Sequence, residues 1–248
     1  MPDRYSRIFL LSHMRAYTSL AGHILGSNPA INGYFEMHLG YEDAGALDRQ
    51  LAEYRKHEDL KDGSRYLFDK LLHNDYRLLP ERLGQARLKI LVGIRPPEPT
   101  LKSIVDLFER KGGNEAYASP EAATRYYTER LEWLADFCRA RAGAYFYFDA
   151  ELFRARPQAL LTALSNWLEL EEPLSGHYQV FSQTGKARRG DSSAFIHRGE
   201  IARGGADYPH VRIPRQLLDQ AQATYLRCRR QMVEFAADAI LLEASSPP

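Results

Sequence analysis

The residues of this chain that could do chemistry recur in one context, directly after short apolar runs. The stretch Ser12-His13-Met14-Arg15-Ala16-Tyr17-Thr18-Ser19 follows the apolar residues 8–11 and leads into Leu20, Ala21, Ile24 and Leu25. A turn between a buried strand and a helix offers backbone N–H groups and the positive end of a helix dipole, so it can bind an anion. Arg15 adds a full charge there, and Thr18 and Ser19 add hydroxyl donors from the first helical turn. Glu36 follows residues 31–35, Lys70 follows residues 66–69, Arg95 follows residues 90–94 and Asp149 follows residues 144–148. Ser103 stands eight positions beyond Arg95, with Pro96 and Pro97 between them, and a glycine-flanked basic run, Gly185-Lys186-Ala187-Arg188-Arg189-Gly190-Asp191-Ser192-Ser193, comes late in the chain. Guanidinium, ammonium and hydroxyl groups suit a multiply charged anion, and the nearby carboxylate and imidazole of Glu36 and His38 suit proton transfer.

Positioning these residues requires elements that alternate. Residues 8–11, 31–35, 66–68, 90–94 and 144–148 read as buried strands. Between them, Leu20, Ala21, Ile24 and Leu25 form a helical face stopped by Asn28-Pro29, and residues 42–57, 100–110 and 120–141 carry helical spacing. Ala159, Leu160, Ala163, Leu164, Trp167 and Leu168 lie on one stripe of a helix beginning near Pro157, and Pro214 opens a final helix carrying Leu217 through Ala239. Residues 182–205 read as a loop. Strands alternating with helices predict a single α/β domain over residues 1–248, with a mainly parallel sheet covered on both faces. Ligands of such folds sit at the carboxyl ends of the strands, where Arg15, Glu36, Lys70 and Arg95 fall.

Composition narrows the function classes. The 248 residues carry a formal net charge of +1, so no global field favours nucleic acid or an anionic membrane, and any anion site must be a local cluster. No apolar stretch approaches twenty residues, which predicts no membrane span, and the first twelve residues lack a small-residue cleavage site, which predicts a cytoplasmic protein. Cys138 and Cys228 lie in helical patterns without C-x-x-C spacing, so metal and redox roles are not expected of them.

The segment from Ser12 to Leu20 resembles the phosphosulfate-binding loop of sulfotransferases that use 3′-phosphoadenosine 5′-phosphosulfate (PAPS). Arg15, Thr18 and Ser19 match that loop, and Tyr17 stands where the family usually has glycine. Arg95 followed by Ser103 is similar to the family's 3′-phosphate motif, and the Gly185 to Ser193 run resembles the basic loop that closes over the nucleotide. The resemblance implies a P-loop-like sulfotransferase fold and an enzyme that moves the sulfuryl group of PAPS to a hydroxyl of a small-molecule or carbohydrate acceptor, releasing adenosine 3′,5′-bisphosphate. It implies nucleotide contacts from Arg15, Ala16, Tyr17, Thr18, Ser19, Arg95, Ser103, Arg188, Arg189 and Gly190. It also implies Glu36 as base with His38 as competitor, Arg15 and Lys70 as cations near the sulfuryl group, and no metal.

Two other readings fit parts of the pattern. A P-loop-type kinase shares a phosphate-cradling turn after the first strand, but the Gly-Lys-[Ser/Thr] core is absent and Arg95 stands where a magnesium-holding carboxylate would help. A non-catalytic nucleotide-binding module on the same fold is the other, with Tyr17 as its best support. H-E-x-x-H, G-x-S-x-G and recognisable nucleic-acid modules are missing.

Overall fold

A computed structural model describes residues 5–84, 86–112, 116–186, 194–202 and 207–243. Its strands are β1 (Ser6–Leu11), β2 (Ile31–Asn32), β3 (Tyr66–Leu71), β4 (Leu88–Ile94), β5 (Tyr145–Asp149) and β6 (Asp238–Ile240). All pair in parallel, in the order β2-β3-β1-β4-β5-β6. The helices are α1 (Thr18–Ser27), α2 (Ala46–Arg55), α3 (Pro97–Glu109), α4 (Pro120–Ala140), the short α5 (Leu152–Ala155), α6 (Pro157–Trp167) and α7 (Arg215–Glu234).

The all-apolar centre of β1 makes it the middle strand, because side chains alternate and both faces must be covered. Phe9 and Leu11 join Ile90, Val92, Ile94, Tyr145 and Tyr147 in a core packed by α3, α4 and α7. Ile8 and Leu10 join Leu91, Phe146 and Phe148 in a second core under α1, α5 and α6. From β1 the chain moves to β2 and β3 on one side and then crosses to β4, β5 and β6 on the other. The crossovers after β1 and β4 therefore leave in opposite directions, and the crevice between those two strand ends is the ligand position of doubly wound sheets.

Several strand boundaries differ from the sequence reading. β2 has two residues rather than five, so Glu36 lies beyond it in non-strand backbone. β3 extends through Leu71 rather than ending at residue 68, and encloses Asp69 and Lys70, both essentially inaccessible. Ala239, expected in the last helix, instead belongs to β6, which docks beside β5 through Phe146↔Asp238 to Phe148↔Ile240. Among the described residues, no helix is long and apolar enough to cross a membrane.

Polar side chains then tie the ends of β1 and β4 together. Ser12 Oγ donates to the Gly93 carbonyl at 2.5 Å. His13 is fully buried; its Nε2 accepts the Arg95 N–H at 3.0 Å, which assigns the proton to Nδ1, and Nδ1 donates to the Met14 carbonyl at 2.8 Å. Burial pushes His13 down to about 3, so it stays neutral at ordinary pH.

Gly22 lets α1 approach the chain after β2 so closely that a methyl group would overlap the Tyr34 carbonyl. Gly22→Ala should cost roughly 1–3 kcal/mol, read as a lower urea midpoint. An unchanged midpoint would show that α1 can move away freely. Unfolded histidine takes up a proton near pH 6.5 that folded His13 refuses until about pH 3, so its contribution is lost as pH falls. Asp69, pushed up to about 7 by burial, works in the opposite sense over part of the same window. His13→Gln removes only the histidine's contribution, so the gap in midpoint between wild type and variant should narrow from pH 7 to pH 5; a constant gap would contradict the neutral, buried His13.

Candidate active site

The loop after β1 is built on two left-handed residues, Arg15 (φ 64°) and Tyr17 (φ 57°). Side chains disfavour that region, so the surroundings must hold the turn in place. They do so through Arg15 on both sides of its backbone. Its Nε donates to Ser103 Oγ at 2.8 Å, and its carbonyl accepts from Arg95 Nη1 at 3.3 Å. Ser103 Oγ donates onward to Tyr208 Oη at 3.0 Å. Arg15, Arg95 and Ser103, dispersed over 88 positions, thus meet at the crevice between β1 and β4. The N-cap residue of α1 is Tyr17, whose side chain makes no capping bond, so the first turn of the helix at Thr18 and Ser19 follows the loop directly.

Tyr17, the departure from glycine, becomes part of the wall. Its ring lies under the Arg95 guanidinium, with 4.6 Å from Cζ to the ring centroid, and its hydroxyl donates to Glu151 Oε2 at 3.3 Å. Glu151 Oε1 accepts from Arg95 Nε at 2.7 Å. The fork of Arg95 is thereby fixed in plane by a carboxylate on one edge and an aromatic face beneath.

The other half of the site lies at the end of β3. Lys70 is 1% exposed, and its Nζ donates to Ser19 Oγ at 3.1 Å, which brings the ammonium to the first turn of α1. Next to it in β3, Asp69 accepts from Met37 N (3.0 Å), Lys70 N (2.8 Å) and Tyr41 Oη (2.6 Å). Burial pushes the Asp69 carboxyl up to about 7 in spite of those three donors. The bond to Met37 fixes the backbone that carries Glu36 and His38. Glu36 is 6% exposed, its Oε1 has no hydrogen-bond partner among the described residues, and His38 Nδ1 stands 3.6 Å from it. A buried carboxylate oxygen without a donor is uncommon and costly, and such atoms concentrate where a reacting group is to be met.

Arg15, Thr18, Ser19, Lys70, Arg95 and Ser103 therefore share one edge of the sheet, with Glu36 and His38 suspended from Asp69 beside Lys70; Ala16 is buried in the loop. Arg188, Arg189 and Gly190 lie outside the described residues. Asp149 is a structural anchor: it accepts two bonds from Arg229, at 2.8 and 2.6 Å, and one from Leu242 N, fastening α7 and β6 to β5. Asp69, Glu151 and Tyr208 escaped the sequence reading. Glu151 lies just past a strand end and was within reach of that rule, whereas no local pattern marks Tyr208.

No family model matches this chain, and no curated protein matches it in sequence. Its fold has close counterparts among solved structures. The sulfotransferase domain from the curacin biosynthetic pathway superposes with a TM-score of 0.64 at 18% identity, covering 91% of this chain and 98% of that one. The sulfotransferase domain from the Synechococcus PCC 7002 olefin synthase superposes with a TM-score of 0.58 at 17% identity, covering 91% and 97%. A six-stranded, all-parallel sheet flanked by helices, with a strand-to-helix turn after β1, gives this chain the sulfotransferase fold.

Proposed function

We propose that this protein transfers the sulfuryl group of PAPS to a hydroxyl of a small-molecule or carbohydrate acceptor. The observation that carries the reading is the meeting of Arg15, Ser103 and Arg95 beside the start of α1, with Lys70 on Ser19 and the buried Glu36 carboxylate adjacent. The donor set suits the nucleotide: fixed guanidinium and hydroxyl groups for a 3′-phosphate, and backbone amides with cations for the phosphosulfate. The fold likeness to sulfotransferase domains supports a sulfuryl donor as co-substrate.

Sulfuryl transfer moves a group in line between two oxygens, so positioning and charge stabilisation dominate. Glu36 Oε1 takes the proton of the acceptor hydroxyl as that oxygen forms its bond to sulfur. The bond from sulfur to the bridging oxygen of the 5′-phosphate breaks, and its electron pair stays on the leaving phosphate. Lys70, Arg15 and the first-turn amides of α1 meet that developing charge. His38, at 3.6 Å, orients the Glu36 carboxylate and is the competing base. Arg95, aligned by Glu151 and Tyr17, holds the 3′-phosphate with Ser103. Arg188, Arg189 and Gly190 join it on the strength of sequence resemblance alone.

Glu36→Gln should lower kcat by about 10²-fold or more with adenosine 3′,5′-bisphosphate affinity intact. Near-normal turnover would transfer the role to His38. Arg95→Ala should weaken that nucleotide about 10- to 100-fold, the loss of one charge-assisted contact, measured by calorimetry; unchanged affinity refutes the 3′-phosphate assignment. Thermal stabilisation by ATP with magnesium, and none by adenosine 3′,5′-bisphosphate, would favour a kinase instead. Nucleotide binding without transfer to any acceptor in a broad panel would favour a non-catalytic module.

A further inference from the structure

The face of α4 that meets the strand ends carries Tyr126, Tyr127 and Arg130, and together they grip three strands. Arg130 is 0% exposed. Its Nε donates to the Ser12 carbonyl at 2.8 Å, its Nη2 to the Leu71 carbonyl at 2.6 Å and its Nη1 to Asn74 Oδ1 at 2.9 Å. Its guanidinium also lies over the Trp133 ring, 4.6 Å from the centroid. Tyr126, one turn earlier, accepts from Met14 N and donates to the Leu72 carbonyl, both at 2.8 Å. Tyr127 donates to the Arg95 carbonyl at 2.7 Å and packs edge-on against His13. The residues that follow β1, β3 and β4 are thus clamped by a single helix turn.

The clamp carries a charge at its centre. Burial lowers Arg130 only to about 10, so it keeps a full positive charge through the physiological range. A buried guanidinium is costly, and three hydrogen bonds to carbonyl-type oxygens offset that cost without neutralising the charge.

We propose that Arg130 is a positioning residue for sulfuryl transfer: its three-way fork locks the loop after β1 to the end of β3, which carries Lys70 and suspends Glu36. Its bearing on transfer rests on the function proposed above; the lock does not. Arg130→Lys keeps the charge and loses the three-way fork, and Tyr126→Phe removes a neutral arm of the same clamp.

Amide hydrogen exchange tests the lock without any activity. Residues 12–19 and 36–41 should exchange at least about tenfold faster in Arg130→Lys, with α6 unchanged, and residues 12–19 should do so in Tyr126→Phe. Wild-type exchange in both segments of a folded Arg130→Lys overturns the lock. Kinetics test its bearing on transfer. The two halves of the site lose their common register in Arg130→Lys, so kcat should fall by about tenfold or more, with a smaller change in KM for the acceptor. Normal kcat in Arg130→Lys, with the wild type active, overturns the positioning role. A wild type that transfers to no acceptor removes the proposed function instead, while the exchange measurement still decides the lock.

Discussion

The site depends on the central placement of β1. Its residues pair with β3 on one side and β4 on the other, Leu11 opposite both Leu71 and Val92. That register brings the loop after β1 beside the end of β3 on one flank and beside Arg95 on the other. Parallel pairing sends all three carboxyl ends to one edge, so cations far apart in the chain become neighbours without any long side chain having to stretch. The apolar centre of β1 drives this arrangement, because only a strand with neighbours and helices on both faces can bury Phe9, Leu11, Ile8 and Leu10 at once.

Bringing like charges together has a cost that the fold meets with fixed dipoles and carboxylates. Arg95 is paired with Glu151 and stacked on Tyr17, Arg15 is bonded to Ser103, and Arg130 is surrounded by oxygens. Each guanidinium is held by partners that leave its charge intact or only partly balanced, the condition for a preorganised anion site. The neutral His13 serves the same end. A protonated imidazole between Arg95 and Arg130 would add a third positive charge, and burial prevents it.

Tyr17 illustrates how a departure from a family pattern can be absorbed. Glycine would take the left-handed backbone at that position without strain. Here a tyrosine adopts it, with φ 57°, and its ring supports the arginine proposed above to hold a 3′-phosphate. The backbone strain is offset by the stack on Arg95 and the bond to Glu151, contacts a glycine could not make.

The fold class and part of the candidate site were legible in the sequence for identifiable reasons. Apolar runs such as residues 8–11 and 90–94 announce buried parallel strands, and polar residues directly after them are directed to the ligand edge by topology alone, which exposed Arg15 and Arg95. Proline, glycine and helical spacing marked most helices. Where an element is short or buried on every side, pattern loses information: the two-residue β2 and the enclosed Asp69 and Lys70 carry no periodicity to read. Only the tertiary structure could decide that Tyr126, Tyr127 and Arg130 turn toward the strand ends, since their helix presents several faces and its packing selects one. The partnerships of Glu151 with Arg95 and of Asp69 with Met37 are likewise contacts between segments 56 and 32 positions apart, set by how the sheet closes and not by local spacing.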